Sequence, residues 1–219
     1  MFIGHFGLGF GAKKVAPAVS LGTCFAASQA ADLLWPTLVL LGVEQVEVQP
    51  GATRMTPLNF VSYPYSHSLV ALCLWGIAVG GVYLAIRGAR LSAGVTLALL
   101  VVSHWLLDFV THRPDMPLTL HGADRVGLGL WSSIPGTLAV ELSIFAAGIT
   151  LYMRATVPRD RAGSIGLWSL VGFLLIVYVA STFGPPPPNA AAVAWSAQAM
   201  WLLVAWAYWV DSHRTLQLK

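Results

Sequence analysis

The stretch Ser103-His104-Trp105-Leu106-Leu107-Asp108-Phe109-Val110-Thr111-His112 places three ionisable side chains inside a long apolar run. His104, Asp108 and His112 recur at intervals of four residues. Residues four apart lie one turn above each other on an α-helix, about 40° apart around its axis, so the three side chains share one face. An ionisable group at membrane depth is costly and usually has a partner and a function. The stretch therefore predicts a helix that carries a polar site.

The sequence around this stretch has the composition of an integral membrane protein. Of its 219 residues, 57% are hydrophobic and 10% are charged, whereas soluble domains carry about 25% charged residues. The mean hydropathy is +0.72. The basic residues that give the net charge of +3 are distributed over loops between apolar runs, so we expect a membrane partner and no nucleic acid.

The apolar runs predict an all-α polytopic membrane protein, a single integral membrane domain over residues 1–219. The bundle has about six transmembrane helices, each about 20 residues long, after a short N-terminal segment, residues 1–14, that is amphipathic or re-entrant. The predicted spans are residues 15–43, 66–86, 91–111, 133–153, 164–184 and 190–210. The last two spans carry no charged residue up to Val210, which is typical of packing helices or of an oligomer interface.

The basic residues also predict the orientation of the chain. Nine of the twelve lie in segments on the side of Lys13 and Lys14, and only Arg54, Arg113 and Arg125 lie on the other side. Because cytoplasmic loops carry the excess of lysine and arginine, we expect both termini in the cytoplasm. A cleaved signal peptide is the competing interpretation of the first residues, but the apolar run continues beyond its expected cleavage site.

Three further ionisable residues fall in the same half of the predicted bundle. Asp32 lies in the first span, His67 at the start of the second, and Glu141 about two turns into the fourth. No lysine or arginine lies within the apolar runs to neutralise the acids, and an acid at mid-membrane costs about 2.5–3.5 kcal/mol. Histidine and carboxylate ligands together bind zinc, and also manganese or iron. We therefore predict a divalent metal, with zinc first, held by Asp32, His67, His104, Asp108 and His112.

Each of these residues also has an ordinary structural explanation. His104 and Glu141 would then hydrogen-bond within the bundle. Asp32 would satisfy backbone groups freed by Pro36, and His67 would cap a helix. Four other ionisable residues are set aside as ligands because they lie in loops or on the opposite side: Asp115, His121, Asp124 and His213.

The order of the candidate residues resembles that of the bacterial membrane-bound metal-dependent hydrolases, the DUF457 or YdjM-like group, which is in turn similar to zinc-dependent phospholipase C. The matching elements span roughly residues 1–115 and are His5, Asp32, Tyr65-Ser66-His67-Ser68 and Ser103-His104-x-x-x-Asp108-x-x-x-His112. The family's His-Arg-x-x-x-His-Ser signature is present here only as Tyr63-Pro64-Tyr65-Ser66-His67-Ser68, without its first histidine and arginine.

The resemblance implies His5 as a further metal ligand and the bacterial inner membrane as the location. His5 precedes Lys13 and Lys14, so it starts on the cytoplasmic side of the predicted topology. Twelve residues of helix reach about 18 Å, and a re-entrant segment of that length would carry His5 toward the membrane midplane.

Together these features predict a metal-dependent hydrolase that attacks a lipid-like (phospho)ester in the outer half of the bilayer. Asp108 or Glu141 would act as general base. A transporter that uses the same cluster as a proton or cation pathway remains open, as does a membrane protein without catalysis. A serine hydrolase with Ser66 or Ser103 as nucleophile is a further alternative. Its histidine would come from another helix, because adjacent residues point about 100° apart.

Overall fold

The computed structural model describes residues 1–217, and most of these residues are helical. The described chain forms ten α-helices in this order: Ile3–Val15 (α1), Leu21–Ser28 (α2), Ala30–Leu40 (α3), Pro64–His67 (α4), Leu69–Arg87 (α5), Leu91–Thr111 (α6), Ile134–Ala155 (α7), Arg161–Phe183 (α8), Ala190–Gln198 (α9) and Met200–Ser212 (α10). Six short strands and one 3-10 turn lie in the loops. The predicted all-α class is thereby confirmed.

Five segments of the described chain are long and apolar enough to cross a membrane. They are α5, α6, α7, α8 and the continuous stretch Ala190–Ser212 that contains α9 and α10. Large apolar side chains face outward from these helices, for example Ile77 on α5, which is 70% exposed. Lipid is the environment in which such faces are stable, because lipid tails are as apolar as these side chains. The chain is therefore an integral membrane protein. Met1 lies beside Asp108 and Leu216 lies beside Thr156, at opposite ends of the bundle, so the structure does not support the prediction that both termini lie on the cytoplasmic side.

The first predicted span, residues 15–43, is not one helix in the structure. The chain leaves α1 at Ala16 and turns through Pro17, and Ser20 then caps α2 by accepting a hydrogen bond from the amide of Thr23, 3.2 Å away. A second break at Gln29 separates α2 from α3. A serine or threonine cap and a proline are the ordinary signals that start and stop helices. The structure therefore has five helical segments of spanning length, not the six that the apolar runs predict.

Helix α1 is buried in the middle of the bundle, where it packs mainly against α7. Glycines on both helices allow the close approach. A Cβ atom at Gly7 would lie 2.8 Å from the carbonyl oxygen of Ile144, and one at Gly148 would overlap the backbone of Gly7. Small residues at such contacts are typical of helix packing in membranes. The N-terminal segment, predicted to be amphipathic or re-entrant, is thus a buried helix of 13 residues.

The strands lie at the two ends of the bundle. At the end near His67 and His112, Gln45–Val48 (β1) pairs with Leu58–Ser62 (β2), and Met116–Pro117 (β3) pairs with Arg125–Val126 (β4). At the other end, Thr156–Pro158 (β5) pairs with Arg214–Leu216 (β6). We call these the β1–β2 end and the β5–β6 end.

A buried ion pair fixes α1 at the β5–β6 end. The Nζ atom of Lys13 lies 2.7 Å from Oδ2 of Asp211, and it donates a second hydrogen bond to the carbonyl of Val19. The hydroxyl of Tyr152 donates to Oδ1 of the same aspartate, at 2.9 Å. Because three elements converge on Asp211, the last turn of α1 is held firmly against α7 and α10.

The close contact between α1 and α7 predicts different effects for two identical substitutions. Gly148→Ala places a methyl group against the backbone of Gly7 and should lower the free energy of unfolding by about 1–3 kcal/mol, the usual cost of overpacking. Gly172→Ala on α8, where a Cβ would meet no atom within 4 Å, should be neutral or slightly stabilising. Thermal unfolding of both variants in detergent checks this. Equal melting temperatures would contradict the packing described.

Candidate metal centre

All six residues predicted as metal ligands are brought together at the β1–β2 end of the bundle. His5 comes from α1, Asp32 from α3 and His67 from α4. His104 and Asp108 lie on α6, and His112 follows the last residue of that helix. Five of the six are buried, and Asp32 is partly buried. The helical spacing in residues 103–112 therefore predicts a shared face correctly, and the fold adds three more side chains to it.

The carboxylate of Asp108 lies at the centre of the four histidines. Its Oδ1 atom is 3.1 Å from Nε2 of His5. Its Oδ2 atom is 3.2 Å from Nε2 of His104, 3.9 Å from Nε2 of His67 and 4.0 Å from Nε2 of His112. Each histidine thus turns the same ring nitrogen toward one carboxylate.

Asp32 closes the cluster from the opposite side. Its Oδ1 atom is 3.3 Å from Nε2 of His67, and its Oδ2 atom is 3.8 Å from Nε2 of His104. Two overlapping sets of three residues could hold a metal ion, with all ligand atoms of a set within 4.8 Å of one another: His5, His104 and Asp108, and Asp32, His67 and His104. Imidazole and carboxylate groups at such distances match the ligand chemistry of zinc, manganese or iron.

A backbone carbonyl orients the ring of His104. Its Nδ1 atom lies 2.9 Å from the carbonyl oxygen of Ser28, the last residue of α2. A carbonyl oxygen only accepts hydrogen bonds, so Nδ1 carries a proton and Nε2 is the nitrogen that faces the cluster. That Nε2 atom is fully buried, and the carboxylate of Asp108 lies 3.2 Å from it. His104 therefore presents a buried ligand atom to the cluster.

A hydrogen-bond chain through Ser66 to Glu44 gives His67 the same orientation. The hydroxyl of Ser66 donates to Oε2 of Glu44 at 2.6 Å, and so it must accept from Nδ1 of His67, 2.7 Å away. Oε1 of Glu44 accepts from the amides of Tyr65 and Ser66, at 2.8 and 2.9 Å, so the carboxylate also holds the turn that carries His67. Glu44 is 1% exposed. It precedes β1, far from the predicted ligands in sequence, and no spacing pattern indicates its role.

Asp115 orients His112 in the same way. Oδ1 of Asp115 lies 2.9 Å from Nδ1 of His112, and Oδ2 accepts from Nε of Arg113 at 3.0 Å. Burial alone would raise the pKa of Asp115, but the hydrogen bonds from His112 and Arg113 outweigh it and hold that pKa below its usual value. The ionised carboxylate accepts a hydrogen bond from Nδ1–H, and Nε2 is the nitrogen that faces Asp108. Asp115 is not among the ligands predicted from the sequence, and its contact with His112 gives it a positioning role that the three-residue spacing could have indicated.

His5 differs from the other three histidines. Its ring stacks on that of His104, with centroids 3.7 Å apart and planes 3° apart, and its Nδ1 atom has no partner among the described residues. The backbone amino group of Met1 donates to the same Oδ1 atom of Asp108 that His5 faces. Because α1 is fixed against α7, His5 reaches the cluster from the N-terminal turn of a buried helix.

Glu141, predicted as a catalytic base, lies beside the cluster on α7. Its Oε2 atom accepts hydrogen bonds from the amides of Phe2 and Gly4, at 2.8 and 3.3 Å. These are free amides at the start of α1, which an acidic group stabilises well. The structure thus gives Glu141 a contact that positions α1 and His5. Its role as a base stays a prediction, as does that of Asp108, whose central location favours the ligand role.

A cavity of about 630 Å³ adjoins the cluster, which is within the usual range of ligand sites. Asp32, His67, Asp108, His112 and Glu141 form its polar end. The rest of its wall is mainly apolar and comes from α8, α9 and α10, from β2 and the loop before it, and from the first two residues of the chain, with Trp35 and Trp131 near the cluster. The candidate ligands are therefore accessible from a space large enough for an organic substrate.

Comparison with known proteins does not assign the chain to a family. No family model, curated protein or solved structure matches it. The resemblance to the membrane-bound metal-dependent hydrolases rests on the order of His5, Asp32, His67, His104, Asp108 and His112, and it stays a prediction. The geometry of these residues does show a buried histidine and aspartate cluster that could hold a metal ion.

Proposed function

We propose that this protein is a metal-dependent hydrolase of the membrane that cleaves a phosphoester or related bond in the headgroup of a lipid. The observation that carries the proposal is the shared orientation of three histidines. His67, His104 and His112 each bind an acceptor through Nδ1 and turn Nε2 toward Asp32 and Asp108. Outer partners of this kind are typical of metal-binding histidines, because they fix the ring and raise its basicity.

A divalent metal bound by these residues would lower the pKa of a bound water and polarise a phosphoryl or carbonyl oxygen. The chain itself supplies the remaining requirements. Asp108 and Asp32 balance the charge, and the fixed imidazoles keep the ligand atoms in place as the substrate binds. Glu141, at the polar end of the cavity, is a third carboxylate within reach of a substrate there.

The structure offers less support for a proton or cation pathway. The polar cluster at the β1–β2 end and the Lys13–Asp211 pair at the β5–β6 end are joined by α1, and that helix places Phe6 and Phe10 between them. Both rings pack edge to face on Phe25, with centroids 4.9 Å apart, and all three are fully buried. A pathway along α1 would have to cross this aromatic layer. Ion flux in proteoliposomes remains the direct measurement for a transporter.

A serine hydrolase is also less well supported. Ser66 does contact His67 directly, contrary to the expectation that a serine partner would come from another helix, because α4 is a single turn. However, its hydroxyl is fully buried and donates a hydrogen bond to the carboxylate of Glu44. The hydroxyl of Ser103 donates to the carbonyl of Leu100. Neither serine therefore donates its hydroxyl hydrogen to a histidine base, which is the bond that activates a nucleophile.

Metal content should depend on the cluster and not on histidine in general. The purified protein should hold at least about one divalent ion per chain, and His104→Ala should lose it because its Nε2 atom contributes to both candidate ligand sets. His213→Ala is the matched control, since His213 pairs with Asp160 at the β5–β6 end. Elemental analysis of the three proteins gives the result. A metal-free wild type, or equal metal in both variants, would contradict the proposal.

Glu44 should affect metal affinity without being a ligand. In Glu44→Gln an amide NH₂ would face the Ser66 hydroxyl in place of an acceptor, so Ser66 would no longer be held to accept from Nδ1 of His67. We expect the affinity for zinc to fall by about 10–100-fold, as for other outer partners of ligand histidines. Glu47→Gln on β1, an exposed glutamate three residues away, should leave it unchanged. Competition titration with a chelator measures both; equal affinities would argue against the hydrogen-bond chain.

Hydrolysis should require both the metal and Asp108. A panel of phospholipids in mixed micelles should include at least one that the protein cleaves, with activity lost on chelation and restored by zinc or manganese. Asp108→Asn should lower kcat/KM by about 10²–10⁴-fold, whether Asp108 acts as ligand or as base. Lys14→Gln is the control, because Lys14 is exposed and lies in the last turn of α1, at the end of that helix opposite to His5. Activity that survives both chelation and His104→Ala would refute a metal-dependent hydrolase.

A further inference from the structure

The cavity beside the metal centre opens toward the membrane through a gap in the bundle. Phe173 on α8 and Leu202 on α10 line it and are 43% and 71% exposed. Ser181 on α8 and Ser196 on α9 are exposed lining residues at the same gap. The cavity is therefore open on the side where the protein meets lipid and closed by the metal cluster at its other end.

The break at Ala199 is the structural origin of this gap. Helix α10 packs against α8 and α2, whereas α9 packs against α3. Because the two halves of the segment Ala190–Ser212 follow different neighbours, the chain packs on α8 after residue 199 but on α3 before it. The wall between α8 and α9 is therefore incomplete, and Ala197 and Met200, on the two sides of the break, line the cavity.

Two buried donors in the cavity wall lack partners. The indole Nε1 of Trp35 and the hydroxyl of Tyr178 belong to residues that are 5% and 2% exposed, and neither atom has a hydrogen-bond partner among the described residues. Both residues line the cavity close to its polar end, which also contains Glu141. Buried donors normally have an acceptor. An oxygen-rich group at this end of the cavity would supply it, whereas the apolar end offers nothing to a polar group.

We propose that the cavity binds one hydrocarbon chain of a membrane lipid, which reaches it sideways from the bilayer through the gap between α8 and α9, with the lipid headgroup at the metal centre. This inference rests on the proposed function and adds the site that holds the hydrocarbon chain and the route by which the lipid enters. The chain gains little free energy on leaving one apolar medium for another. The cavity therefore orients the lipid so that its headgroup bond meets the metal cluster.

Photo-crosslinking tests the inference without any turnover. Metal-free protein in phosphatidylcholine vesicles receives a phosphatidylcholine probe with a diazirine in the middle of one acyl chain, and labelled residues are mapped by mass spectrometry. We expect label on cavity-lining residues of the segment 196–206, in addition to label on the lipid-facing side of α5, which serves as internal reference.

A matched pair of α8 variants tests whether the labelling of residues 196–206 depends on the space inside the cavity. Val177 lines the cavity, whereas Val179, on the same helix, is 53% exposed and does not line it. Val177→Trp should lower labelling of 196–206, relative to α5, by about tenfold, because a bulky ring fills the space. Val179→Trp should leave the ratio unchanged. Val177→Phe gives an intermediate effect and covers the case in which the larger variant does not fold.

The outcomes separate this inference from the proposed function. Unchanged labelling in Val177→Trp and Val177→Phe, or no label in 196–206 of the wild type, would overturn the hydrocarbon-chain site even if the protein hydrolyses lipids. Labelling as expected in a protein that binds no metal and cleaves no lipid would support the site and refute the hydrolase.

Discussion

The structure depends on the placement of the Asp108 carboxylate among four imidazoles in the interior of a membrane bundle. A buried charge without a partner is strongly destabilising, and the partners of Asp108 among residues 1–217 are the four imidazoles and the amino group of Met1, with no lysine or arginine side chain. Its oxygens face His5 on one side and His67, His104 and His112 on the other. Helices α1, α4 and α6 must therefore meet at one point, and the rest of the bundle holds them there.

The elements that hold the cluster lie mostly outside the spanning helices. Glu44 precedes β1, Asp115 follows α6, and the carbonyl of Ser28 is exposed to His104 only because α2 ends there. Each supplies an acceptor to the outer nitrogen of one histidine. The loops at the β1–β2 end thus have a chemical role, and the short helices α2 and α3 have one too. A single unbroken span over residues 15–43 would engage the carbonyl of Ser28 in its own helix.

Local periodicity predicts one part of this site well and other parts poorly. The four-residue spacing of His104, Asp108 and His112 predicts their shared face, because a helix fixes relative positions within a few turns. The break of the first predicted span depends on capping by Ser20 and on the turn at Gln29. Neither feature can be recognised from the apolar composition of the segment. Glu44 could not be predicted, because its contact with Ser66 depends on how β1 and α4 pack.

The fixed orientations of the histidines also bear on the choice between catalysis and transport. In a proton relay each histidine must accept a proton on one nitrogen and release it from the other, so both nitrogens need partners that can exchange roles. Here Nδ1 of His104 faces a backbone carbonyl, which does not pass a proton onward, and Nδ1 of His112 faces a carboxylate that His112 and Arg113 keep ionised. A static ligand set needs this one-sided arrangement, since a metal requires the lone pairs of Nε2 to stay where they are. The hydrogen bonds behind the histidines therefore favour a bound cation over a moving proton.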